Sequence, residues 1–138
     1  MNRRGQLSLV LHFRFVMLIV VTCSSALCGP IHDAAGQSDP AKVEALVKEN
    51  PDLVFSKDGD GGTPLHRAAF GGSKEVVELL LTHKPNPNAR DSGDFTPLYW
   101  AADGGHKDII ELLLANKAGV NAKNNRSFLG ATALHAAV

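Results

Sequence analysis

The chain reads as an all-α solenoid of antiparallel helix pairs, with about three full repeats and the start of a fourth. Three observations predict this. The segment Thr63 to Leu81, TPLHRAAFGGSKEVVELLL, returns at Thr96 to Leu114 as TPLYWAADGGHKDIIELLL and begins again at Thr132 as TALHAAV. The spacing is 33 residues and then 36, and a fixed period of this length marks stacked supersecondary units. Within each full copy a Gly-Gly pair, Gly71-Gly72 or Gly104-Gly105, divides a short helical pattern from a second one with apolar residues three and four apart. That is the pattern of two helices folded back on each other.

At 138 residues and 44% apolar content, the chain has room for one small domain behind a leader. Residues 1–28 form that leader: a basic start (Arg3, Arg4, His12, Arg14), an apolar run from Phe15 to Val21, then small and polar residues from Thr22 to Ala26. This is the layout of a secretory signal peptide. It predicts a secreted or periplasmic protein, cut after Ala26 or after Cys28. The alternative is a tether to the membrane by an uncleaved leader, but the apolar run is about a third of the ~20 residues a spanning helix needs. Without the leader's three arginines, 11 basic residues face 14 acidic ones. A mildly acidic domain argues against nucleic acid as a partner. Both cysteines, Cys23 and Cys28, lie in or beside the leader, so the repeats need no disulfide.

The domain occupies 29–138, with repeats at about 30–62, 63–95 and 96–131 and a partial one at 132–138. In the first repeat, Ile31-His32-Asp33-Ala34-Ala35 aligns with Leu65 to Ala69 but lacks the Thr-Pro entry. Pro30 suits the first turn of a helix, where its missing N–H costs nothing. Its second helix, from Pro40, turns Val43, Leu46 and Val47 inward and Lys42, Glu44 and Lys48 outward. This polar first unit reads as an amino-terminal cap. In the next two repeats Thr63 and Thr96 cap the first helix, and Pro64 and Pro97 follow at its first position. Ala68-Ala69 and Ala101-Ala102 allow helices to approach closely. Val76, Val77 and Leu79 to Leu81, with Ile109, Ile110 and Leu112 to Leu114, supply the core between repeats. Glu75, Glu78, Asp108 and Glu111 face water.

Asp58-Gly59-Asp60-Gly61-Gly62 and Asp91-Ser92-Gly93-Asp94-Phe95 have turn chemistry. A third such segment, Asn124 to Ala131, holds the three extra residues, as loops readily do. The chain stops at Val138, inside the first helix of a fourth repeat. This predicts either a fragment of a longer array or possible self-association through the incomplete C-terminal repeat.

The pattern TPLHxAA...G...V..LL resembles the ankyrin repeat, with Thr63, Pro64, Leu65, His66, Ala68, Ala69, Gly72, Val77, Leu80 and Leu81 on motif positions. The resemblance covers roughly residues 31–138. It implies β-hairpin loops between the helix pairs and a histidine, here His66 and His135, that ties neighbouring repeats together; Tyr99 replaces it in the third repeat. Family members usually place glycine just past the second helix, where this chain has Lys84 and Lys117. A side chain held left-handed there costs ~1 kcal/mol.

No cofactor, metal or catalytic residue is expected. The sequence has no phosphate loop, paired-carboxylate motif or nucleophile elbow. His66 and His135 are explained by the repeat, and His32, His83 and His106 lack ligand spacing and suit exposed helix or turn positions. The expected activity is non-catalytic binding of another protein. Stacked repeats align loops and first helices on one concave side, where the family resemblance places Asp60, Phe70, Ser92, Phe95, Trp100 and Asp103, with Arg67 beside them. Aromatic residues and arginine dominate interface energetics. Trp100 and Phe70 also suit packing against neighbouring helices, whereas Phe95, in a turn, has less core to reach. Phe128-Leu129 is a second apolar patch.

Overall fold

A computed structural model describes residues 29–120. The leader, the loop from Asn124 to Ala131 with Phe128-Leu129, His135 and the fourth repeat all lie outside the described residues.

Six short helices form three pairs: α1 (Pro30–Gly36) with α2 (Pro40–Glu49), α3 (Pro64–Gly71) with α4 (Lys74–Thr82), and α5 (Pro97–Asp103) with α6 (Lys107–Ala115). Each first helix begins on a proline at its first turn, where no intrahelical acceptor exists for the N–H that proline lacks. The second helices are capped by the side chains of Asp39 and Ser73, which accept from Lys42 and Val76 N–H. At α6 the residue in that place is His106, whose side chain caps nothing.

The first helices form one row, α1 on α3 on α5, and the second helices another, α2 on α4 on α6. Alanine sets the spacing of the first row. Ala34, Ala35, Ala68, Ala69, Ala101 and Ala102 are all buried, and a side chain on Gly71 would stand 2.8 Å from the carbonyl oxygen of Gly36. Val43, Val47, Val76, Val77, Leu80, Ile109 and Leu113 fill the space between the rows. Leu80 and Leu113 are fully buried, as one shared apolar seam demands. At ~25 cal/mol per Å² of apolar surface removed from water, this seam is the main stabilising term. Leu114 departs from the expected core set and is exposed, because it falls on the outer side of the α6 stripe.

Two other features differ from the sequence reading. A 3-10 helix, Pro51–Phe55, follows α2, started by Pro51 and by the Asn50 side chain accepting from Asp52 N–H at 3.1 Å. It plugs the first repeat with fully buried Val54. The loops after each pair are hydrogen-bonded turns, and no strand forms among the described residues. Asp58 N–H donates to the Gly62 carbonyl and Asp91 N–H to the Phe95 carbonyl, a single closing pair where a longer ladder would make a hairpin. Lys84 and Lys117 do adopt the left-handed conformation, at φ 53° and 67°.

Candidate protein-binding surface

The two projecting tips, 58–62 and 91–95, are built alike. Each starts with an aspartate whose Oδ1 accepts two backbone N–H groups within the turn. Asp58 takes those of Asp60 and Gly62, both at 2.9 Å. Asp91 takes those of Gly93 at 2.8 Å and Phe95 at 3.0 Å. The other oxygen binds a donor nine residues on, in the first helix of the following pair: Arg67 Nε at 2.7 Å for Asp58 and Trp100 Nε1 at 2.8 Å for Asp91. The tips are joined to each other by Ser92 N–H donating to the Asp60 carbonyl at 2.8 Å.

Histidines lock tips to helices. His66 Nδ1 accepts from Thr63 N–H at 3.0 Å, so the proton sits on Nε2, which donates to the Phe95 carbonyl at 3.1 Å. His32 repeats this one unit earlier, its Nε2 facing the carbonyls of Gly62 at 3.1 Å and Ser56 at 3.3 Å. The expectation of an exposed His32 is therefore corrected: it is buried, standing where His66 stands despite the missing Thr-Pro entry. His106 is also not a free surface residue, since it is half-buried and its Nε2 reaches the Phe70 carbonyl at 3.0 Å. His83 is exposed as expected. Burial pushes both His32 and His66 below the ordinary histidine range, against the opposing pull of carbonyls and nearby aspartates.

Between the tips and the helices α3 and α5 lies an open cavity of about 520 Å³. Asp60, Arg67, Phe70, Ser92, Phe95 and Trp100 all line it, so the structure brings together six of the seven residues singled out from sequence. Asp103, exposed at the end of α5, does not line it. The aromatic wall is continuous: Phe70 meets Trp100 edge to face at 5.6 Å, and Phe95 meets Trp100 at 5.5 Å and Tyr99 at 4.3 Å between ring centres. Phe95 is thus half-buried against two rings, where a turn residue with little core to reach was expected. Phe70 is 53% exposed.

Sequence reasoning missed the aspartates that hold the site. The Asp58 side chain is fully buried and paired with Arg67. Burial alone would raise its carboxyl, but Arg67 and the N–H groups of Gly62 and Asp60 outweigh this and hold it below the ordinary carboxylate range. The signal was present as Asp58 and Asp91 opening both tips at the repeat spacing, each followed nine residues later by a long donor side chain.

Among the described residues, no cluster of three histidine, cysteine or acidic side chains could hold a metal ion, and no helix is long and apolar enough to cross a membrane.

Comparison with known proteins agrees with this architecture. Serine/threonine-protein kinase VIK of Arabidopsis thaliana is 44% identical over 57 residues, 41% of this chain and 13% of that protein. Ankyrin repeat domain-containing protein 49 of Drosophila melanogaster is 39% identical over 54 residues, 39% of this chain and 25% of that protein. The probable 26S proteasome regulatory subunit p28 of Saccharomyces cerevisiae is 34% identical over 65 residues, 47% of this chain and 28% of that protein. The match therefore spans less than a third of the length of each of these relatives. Such repeats are a protein-interaction module and are not themselves catalytic. The family model for ankyrin repeats in three copies matches residues 31–124 and 94–138, and with the paired helices, locking histidines and stacked tips this establishes that the chain belongs to the ankyrin-repeat family.

Proposed function

We propose that this chain is an exported ankyrin-repeat protein that holds another protein in the cavity between its tips and first helices, without catalysing a reaction. The observation that carries this reading is the convergence of Phe70, Phe95 and Trp100 on one open cavity. Aromatic residues in a pocket at the centre of an interface are where binding energy concentrates, and close spacing of the first helices bends the stack toward that side.

Two phenylalanines provide the test. Phe70 and Phe55 are almost equally exposed, at 53% and 55%, but Phe55 lies away from the cavity beside Pro85 and Arg90. Affinity capture from the native compartment with residues 29–138 should lose its partner on Phe70→Ala and keep it on Phe55→Ala, with the helical circular dichroism unchanged in both. Equal retention by the two variants would overturn the assignment of the cavity.

Export is proposed from the leader's basic, apolar and small-residue segments. Mass spectrometry of the protein recovered outside the cytoplasm should find a chain beginning at Leu27 or Gly29. A full-length chain held in the membrane fraction would favour the uncleaved tether.

A further inference from the structure

The charges around the cavity do not balance, and their imbalance describes the occupant. Two carboxylates, Asp60 and Asp91, line it, a third, Asp58, lies buried behind Arg67, and Arg67 is the cation that lines it among the described residues. Arg67 is committed inward. Its Nε and NH2 both lie 2.7 Å from Oδ2 of Asp58, and its NH2 also reaches Asp60 at 3.1 Å. Since the Asp58 side chain is fully buried, it takes up the guanidinium charge where no ligand reaches. Asp60 has an 84% exposed side chain, and among the described residues Asp91 is held by neutral donors: two backbone N–H groups and the Trp100 indole. Among the described residues, a surplus of two negative charges therefore stands at the mouth of an aromatic-walled cavity. The repeat register extends it, placing Asp33 where Arg67 and Trp100 stand in later repeats, and Asp103 where Phe70 stands.

We infer that this cavity receives a lysine or arginine side chain from a basic, extended segment of the partner protein, its methylenes against Phe70 and Trp100 and its charged end toward Asp60 and Asp91. Each component fits such a side chain. Aromatic faces attract cations through their quadrupole, most strongly for tryptophan. The long stems of lysine and arginine bury apolar surface while their ends stay with the carboxylates. An acidic partner would meet like charge, and a purely apolar one would leave the Asp91 carboxylate, and an Asp60 that shares Arg67 with Asp58, facing it. This inference rests on the cavity being the binding surface, and it adds the chemical class of the guest.

Trp100 is the chain's single tryptophan, so its fluorescence reports on the cavity directly. Peptides of one length, with lysine, arginine, glutamate or leucine at alternate positions of a Gly-Ser frame, are titrated into the full domain. The lysine and arginine peptides should shift the emission saturably, with affinity falling as salt rises, and the glutamate peptide should not. Asp60→Asn and Phe70→Ala should each weaken the basic peptides about fivefold, the scale of a half-exposed cation–π or ion-pair contact. Glu75→Gln, on the outer helix α4, should leave them unchanged. Stronger binding of the leucine peptide would overturn the cationic guest while leaving the cavity as a protein-binding surface. Basic peptides that bind all variants equally would show general charge attraction and overturn it too. No response to any peptide would also overturn it, and partner capture by Phe70 against Phe55 would then decide separately whether the cavity binds protein.

Discussion

The tips at 58–62 and 91–95 solve one geometric problem with two chemistries. Both fold around an aspartate that gathers two turn N–H groups and one side-chain donor from the following helix. In the first tip the donor is the charged guanidinium of Arg67, and in the second it is the neutral indole of Trp100. The fold tolerates either, because a carboxylate oxygen needs only a well-aimed N–H at about 2.8 Å. The electrostatic outcome differs, however. Arg67 cancels a carboxylate that has no contact with water, while Trp100 leaves the charge of Asp91 standing beside the cavity. A donor swap that is nearly silent for architecture thus determines what the surface attracts.

The sharpest way to break this comparison is to remove each aspartate. Asp58→Ala takes the buried acceptor from two turn N–H groups and from Arg67, which keeps only the exposed Asp60 carboxylate, and should cost about 2–3 kcal/mol in urea unfolding, the upper range for hydrogen bonds to a charged group. Asp91→Ala leaves two N–H groups and an indole N–H that water can reach more easily, and about 1–2 kcal/mol is expected. Equal losses would mean that the charge of Arg67 contributes nothing to anchoring the first tip.

The histidines extend the comparison to the carbonyls that close the tips. His66→Phe removes the acceptor for Thr63 N–H and the donor to the Phe95 carbonyl together, and should cost about 2 kcal/mol. Acid should act in the same place. The pKa values of His32 and His66 are lowered by burial, so the unfolded chain binds protons first as pH falls. Their contribution is fully present above the unfolded value of about 6.5 and is lost as pH drops below it toward the folded values. Protonating His32 would also place an N–H on Nδ1, which is buried without a partner among the described residues. Urea midpoints measured from neutral pH down to about 5 should fall, and most of that fall should vanish in a His32→Gln, His66→Gln double variant. Asp58, whose carboxyl is held low, adds a separate loss only below about pH 4.

Most of this fold was legible because its determinants are local and recur. The Thr-Pro entries, paired alanines and apolar stripes of α3 to α6 each state their role within a few residues. The left-handed strain at Lys84 and Lys117 was readable too, since repeat alignment shows where glycine belongs. What escaped has long-range causes. His32 looks exposed in a segment without Thr-Pro, and only the carbonyls of Ser56 and Gly62, far along the chain, bury it. Phe95 looks like a turn residue with little core to reach, but its packing on Tyr99 and Trp100 depends on how the tip folds over α5. At the site, residue types in register locate six lining residues, while Asp58 and Asp91 look only like turn formers because their second oxygen finds its donor only in three dimensions.

The smallest expected effect compares the ends of the outer helices. Lys84 and Lys117 hold φ of 53° and 67°, a region in which a Cβ crowds the backbone by ~1 kcal/mol. Glycine would relieve that crowding but adds freedom to the unfolded chain, which returns part of the gain. Lys84→Gly should therefore stabilise the array by about 0.5 kcal/mol. The Lys117 carbonyl accepts from the Asn88 side chain at 3.1 Å, a contact between repeats that already fixes the turn, so Lys117→Gly tests whether relief of strain survives in a tethered turn. Similar gains at both positions would show that the cost is intrinsic to the backbone. A gain at Lys84 with none at Lys117 would show that the Asn88 bridge already holds the turn against its own strain.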